Sequence, residues 1–187
     1  MKREVDMAAL STLAATAAEP GLGVPAGPPG PPVLEADRVE KTYPNGTHAL
    51  NGTTVQIARG EFVSLLGPSG CGKSTLLYMI AALEETTSGT IWCDGEKVAS
   101  PSSDRSLIFQ EAALFPWLSI ADNVTFGLKL KGVSKATRRA VADRILRKVG
   151  LGGFMDKRPD ELSGGMRQRA AVARALAMEP SVLMMDE

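Results

Sequence analysis

The segment Gly67-Pro68-Ser69-Gly70-Cys71-Gly72-Lys73-Ser74 constrains this chain more than any other. It fits the phosphate-binding pattern GxxxxGKS, and it lies between the apolar run Phe62-Val63-Ser64-Leu65-Leu66 and the helix-forming Thr75-Leu76-Leu77. A loop of this kind works only where a strand feeds a helix. Its glycines let the backbone curl so that successive N–H groups converge on one anion, and the helix N-terminus adds partial positive charge beneath it. Lys73 is placed to neutralise the β- and γ-oxygens of a nucleotide, and Ser74 to offer its hydroxyl to Mg²⁺.

The rest of the pattern agrees with a strand-to-helix architecture. Val33 to Lys41, His48 to Ala58 and Glu61 to Leu66 read as strands, as do Arg105 to Phe109 and the apolar Val182 to Met185. Helical periodicity runs over Lys73 to Leu83, Ser119 to Lys131, Lys135 to Val149 and Gly165 to Met178; Val141, Ile145 and Val149 repeat at i, i+4, i+8. Strands alternating with helices imply an α/β fold with a largely parallel sheet. The 187 residues suffice for one well-cored domain. Six of the 12 prolines and four of the 19 glycines fall within residues 1–32, which reads as a disordered Ala/Pro/Gly-rich tail. Glu4 and Asp6 spoil the basic region that a signal peptide would need there.

Composition removes several function classes. Twenty-one basic residues balance twenty-one acidic ones, so no global field draws the chain to nucleic acid. No uncharged stretch reaches the roughly 18 apolar residues of a membrane span. Cys71 and Cys93 lack metal-ligand spacing, which excludes a zinc site of the usual kind and fits a reducing cytoplasm.

Two further segments carry chemistry. The run Val182 to Met185 ends in Asp186-Glu187, where an aspartate can hold Mg²⁺ through its water shell and a glutamate can polarise a water aimed at a γ-phosphate. Leu162-Ser163-Gly164-Gly165-Met166-Arg167-Gln168-Arg169 begins another helix. There a serine cap and two glycines leave bare N–H donors, a second place suited to an anion.

Set between a phosphate loop and an Asp-Glu strand, Leu162 to Met166 resembles the LSGGQ signature of ABC ATPases, with Met166 where glutamine is commoner. The resemblance covers Val33 to Glu187. It implies a P-loop NTPase fold with a mostly parallel core sheet, an antiparallel β subdomain and an inserted α-helical subdomain, about 111–165, that carries the signature. By the same resemblance Tyr43 stacks on adenine, and Gly67, Pro68, Ser69, Gly70, Cys71, Gly72, Lys73, Ser74 and Thr75 bind the nucleotide. Ser74, Gln110 and Asp186 serve Mg²⁺. Lys73, Gln110 and the general base Glu187 carry ATP hydrolysis. Leu162, Ser163, Gly164, Gly165 and Met166 face the ATP of a partner subunit in a head-to-tail dimer, homodimeric or paired.

The string Phe109 to Leu118, followed by Asn123 to Leu128, is similar to the ATPases of nitrate, sulfonate and taurine importers. The implied partners are transmembrane permease subunits and, indirectly, a periplasmic solute-binding protein; the implied location is the cytoplasmic side of the inner membrane. Phe115 and Trp117 read either as core residues or as the lining of a partner groove. A chromosome-organising relative would need a long insertion, for which the 90 positions between Lys73 and Ser163 leave no room. Family members continue past the catalytic glutamate into a D-loop and an H-loop histidine, whereas the single histidine here is His48. The expectation is therefore a C-terminally truncated domain, inactive alone. The alternative reading is a nucleotide-binding interaction module without turnover.

Overall fold

The structure is a computed structural model that describes residues 30–186. Most of the tail expected over 1–32 lies outside the described residues, as does Glu187. The chain divides into two compact units, Met1–Ser102 and Ser103–Glu187.

In the first unit β1 (Leu34–Thr42) pairs antiparallel with β2 (His48–Ile57) on one side and β3 (Ser88–Cys93) on the other, and β4 (Glu96–Lys97) extends the sheet. Strict alternation would put Val39 on the face opposite Ala36. A bulge between Ala36 and Val39, with Arg38 at φ 45°, returns Val39 to the buried face. The carbonyl of Arg38 consequently presses on β3: a Cβ on Gly89 would stand 2.3 Å from it, so only glycine fits opposite the bulge.

Helix α1 (Lys73–Ile80) buries Leu76, Met79 and Ile80. It stops short of the expected Leu83 because Ala82 turns left-handed at φ 57° and the Leu83 N–H bonds the Tyr78 carbonyl at 2.8 Å, a Schellman ending. The segment 61–66, read as a strand, forms no ladder. Phe62 is 79% and Leu66 71% exposed. Its alternating apolar residues have strand propensity, but a strand exists only where a neighbour supplies hydrogen bonds, and none of the described strands pairs with it.

In the second unit β5 (Arg105–Ile108) and β6 (Val182–Met185) form a parallel pair in register from Arg105 opposite Val182 to Ile108 opposite Met185. Both sheet types expected, antiparallel and parallel, are therefore present. The helices are α2 (Ile120–Val124), α3 (Phe126–Leu130), α4 (Lys135–Lys148) and α5 (Gly164–Leu176). The single helix expected over Ser119 to Lys131 breaks at Thr125, whose φ of −101° departs from helical values while its buried hydroxyl bonds the Ala121 carbonyl at 2.8 Å. Helix α5 organises the unit with small residues. Ala170, Ala173 and Ala177 pack with Ile120, Val124, Leu146 and Leu162, while Ala171 and Ala175 pack with Ile108 beside Leu183. Among the described residues no helix is long and apolar enough to cross a membrane.

Candidate functional site

Residues 67–72 wrap around the start of α1. Gly72 caps the helix in the left-handed region, φ 97° and ψ 6°, with no side-chain cap bond. A Cβ at Gly72 would meet the Ala49 carbonyl oxygen at 2.4 Å and Leu50 Cδ2 at 2.9 Å; β2 and the loop touch at this glycine. Lys73 folds back over the loop, its ammonium donating to the carbonyls of Gly67 at 2.8 Å and Pro68 at 2.9 Å and lying 3.6 Å from Cys71 Sγ. A cation held at the loop by two neutral carbonyls can trade them for phosphate oxygens, which make stronger charge-assisted bonds. Ser74 and Thr75 follow in the first turn of α1.

Tyr43 sits just past β1, in a turn closed by its own backbone bonds to Thr47 and Gly46. Its hydroxyl donates to Glu84 at 3.2 Å and the Lys41 ammonium lies 5.1 Å from its ring centroid. The ring is half-buried and keeps surface for stacking.

In the other unit the parallel pair brings two expected site residues to one edge. The Asp186 N–H donates to the Ile108 carbonyl at 2.9 Å, so Asp186 and Gln110 both leave the C-terminal end of the β5–β6 pair. Ligands of open α/β sheets bind at such ends. Gln110 and Asp186 offer an amide oxygen and a carboxylate, and in the first unit Ser74 offers a hydroxyl; each is a hard oxygen donor of the kind that Mg²⁺ takes. Among the described residues no group of three or more His, Cys, Asp or Glu could hold a metal ion.

Helix α5 starts where expected, one residue early. Ser163 is its N-cap, accepting from the Met166 N–H at 3.4 Å. Ser163, Gly164 and Gly165 are exposed, and a Cβ on either glycine would meet nothing within 4 Å. Nothing in this unit's own packing requires glycine there. Trp117 is 69% exposed, and Phe115 contacts both it and Phe126, with ring centroids 5.6 Å and 4.6 Å away.

Three residues that support the loop after β5 carried no role in the sequence reading. Asn123, fully buried, accepts from the Phe115 N–H at 2.7 Å and donates to the carbonyls of Phe115, Leu118 and Ser119. Gln168 donates to the Gln110 carbonyl, and Arg174 donates to the carbonyls of Ala113 at 2.8 Å and Ala112 at 3.4 Å. Burial pushes the Arg174 pKa down, the sign of a desolvated guanidinium held by those carbonyls. No signal in the sequence marked any of them: Asn123 lies within α2, and Gln168 and Arg174 lie within α5.

The ABC transporter family model matches residues 50–187. Over 139 residues the chain is 51% identical to the taurine import ATP-binding protein TauB of Burkholderia pseudomallei, covering 74% of this chain and 54% of that protein. It is 52% identical over 139 residues to the nitrate import ATP-binding protein NrtD of Synechocystis, covering 74% of this chain and 52% of that protein. The chain thus spans about half the length of these relatives. Among solved structures, cbiO1 from Clostridium perfringens, part of the ABC transporter complex cbiONQ, superposes with a TM-score of 0.76 at 31% identity, over 84% of this chain and 66% of that one. The ATP-binding cassette MJ0796, a dimer bound to ADP and Pi, superposes with a TM-score of 0.74 at 35% identity, over 82% and 73%. With a family match over most of its length and a fold shared with these ATP-binding structures, this chain belongs to the ABC transporter family, as an ATP-binding domain of the P-loop NTPase fold.

Proposed function

We propose that the chain is the ATP-binding and ATP-hydrolysing subunit of an importer for a small anionic solute of the nitrate, sulfonate or taurine type. It works in a pair, at the cytoplasmic face of the membrane, on transmembrane permease subunits that receive solute from a periplasmic binding protein. The observation that carries this reading is the phosphate loop that opens α1 at Gly72 with Lys73 folded back over it. The relatives named for taurine and nitrate import support the cargo class. The dimeric cassette bound to ADP and Pi supports the pairing.

In this reading Lys73 gives up its two carbonyls to hold the β- and γ-phosphate oxygens, and the N–H groups at the start of α1 bind the same phosphates. Mg²⁺, when bound, neutralises charge on the phosphate oxygens, and Ser74, Gln110 and Asp186 are the residues that would hold it. Glu187 takes a proton from the attacking water while Gln110 orients it. Tyr43 stacks on the adenine. Ser163, Gly164 and Gly165 present helix N–H groups to the partner's γ-phosphate, so closing the pair completes both sites and moves the permease through half-buried Phe115 and exposed Trp117.

Calorimetry with Mg·ATP tests the first half. Lys73→Ala should weaken binding by about 1.5–3 kcal/mol, roughly 10- to 150-fold, the worth of a charge-assisted contact. Equal affinities for folded parent and variant would remove Lys73 from the phosphate site. Light scattering tests the second half: in a chain extended to the length of its relatives, Gly164→Asp puts a carboxylate beside the partner's phosphate and should abolish ATP-dependent pairing while ATP affinity stays unchanged. Unaltered pairing would sink the role in trans. The cargo is read by ATP-stimulated uptake into vesicles holding the cognate permease, with taurine, nitrate and sulfonates in competition.

A further inference from the structure

We propose that Gln168 and Arg174 are positioning residues: from one face of the signature helix they hold the backbone of residues 110–113 and thereby aim the Gln110 side chain. The inference rests on the reading of Gln110 above and extends it to two side chains on a different element.

Gln168, Ala171, Arg174 and Ala175 fall at i, i+3, i+6 and i+7 along α5, hence on one side of the helix. The two alanines on this side bury against Ile108, the last residue of β5, with Ala112 packed beside them. The two polar residues reach past that contact to the loop. The Gln168 amide donates to the carbonyl of Gln110 itself. Arg174 bonds the carbonyls of Ala113 at 2.8 Å and Ala112 at 3.4 Å, and its guanidinium lies 5.9 Å from the Phe115 ring centroid.

These anchors hold a backbone that would not keep its shape unaided. Ala113 has φ 42°, a left-handed conformation that costs a residue with a Cβ roughly 1–2 kcal/mol. The strained residue is the one whose carbonyl receives the shorter Arg174 bond. Fixing the carbonyl of Gln110 and the turn at Ala113 leaves the Gln110 side chain little freedom except its own rotamers. Helix α5 begins at Gly164, four residues and about 6 Å of helical rise before Gln168. The segment read as facing a partner's phosphate and the loop carrying Gln110 are therefore tied to one rigid element.

The test is the Mg²⁺-dependence of ATP binding by the full chain: the ratio of the dissociation constant with EDTA to that with Mg²⁺, by calorimetry. Gln110→Ala should lower this ratio about three- to tenfold, the effect of one lost hydrogen bond. Gln168→Ala and Arg174→Ala should each lower it similarly while the metal-free affinity stays within about twofold. Arg174→Lys, which keeps a charge and a donor, should recover part of it. Adding Gln168→Ala to Gln110→Ala should change nothing further, because the anchor acts only through Gln110. Circular dichroism confirms folding, and should Arg174→Ala fail it, the exposed Gln168 carries the test alone. If Gln110→Ala lowers the ratio but neither anchor variant does, or if the anchor variants lose affinity equally with and without Mg²⁺, the positioning role is overturned while the reading of Gln110 stands. If Gln110→Ala leaves the ratio unchanged, that reading falls, and the inference with it.

Discussion

Gly72→Ala should abolish detectable Mg·ATP binding and destabilise the first unit by about 3 kcal/mol or more. Two costs combine. A residue with a Cβ held at φ 97° is strained by roughly 1–3 kcal/mol. The new methyl would also stand 2.4 Å from the Ala49 carbonyl oxygen and within 3.1 Å of two Leu50 carbons. Those atoms are hard to displace, because Leu50 is buried and pairs with Lys41 in the β1–β2 ladder, so overpacking adds about 1–3 kcal/mol. The loop must retreat, carrying with it the N–H groups that open α1. Gly70→Ala separates the two costs: it also has positive φ, at 80°, but open space around it, and should show the strain alone. Urea unfolding of both variants is the measurement, and midpoints that coincide would show that the contact with β2 has no energetic weight.

Asn123→Ala is the second large effect. The side chain is fully buried and satisfies one backbone N–H and three carbonyls across Phe115 to Ser119. Truncation strands several of these groups away from water, at roughly 1–3 kcal/mol for each left without a partner, so a total of about 2–4 kcal/mol is expected. Asn123→Asp keeps the acceptor for Phe115 N–H but turns a carboxylate toward three carbonyls, and should be at least as damaging. Because Asn123 pins both ends of the Phe115–Leu118 turn, emission from the exposed Trp117 should change in any fraction that stays folded. Stability within about 0.5 kcal/mol of the parent would mean that the turn is held without Asn123.

The phosphate loop was legible because its chemistry is written in consecutive residues: Gly72, Lys73 and Ser74 need no distant partner to be recognised, and the structure places them on a loop opening a helix. The start of α5 was legible for the same reason, a cap and its helix being local. The segment 61–66 was misread because its alternating pattern records a preference for pairing without naming the neighbour that must supply it. The break at Thr125 depends on one hydroxyl choosing the Ala121 carbonyl, which helical periodicity does not encode. Gln168 and Arg174 escaped notice because their partners lie 58 and 61 positions away and are backbone carbonyls, a group every residue possesses.

The open space around Gly164 and Gly165 has a consequence for how this sequence is maintained. Gly164 and Gly165 are the first two residues of α5; alanine is favoured over glycine in a helix by at most roughly 0.5–1 kcal/mol, and here a methyl group would touch nothing. Selection for the fold of the single chain would drift toward alanine at both positions. On the pairing proposed above, glycine at each position lets a partner's phosphate come closer than a methyl group would allow. On that proposal the chain forgoes a little stability of its own to leave the approach clear, so a screen for thermal stability alone would tend to discard both glycines.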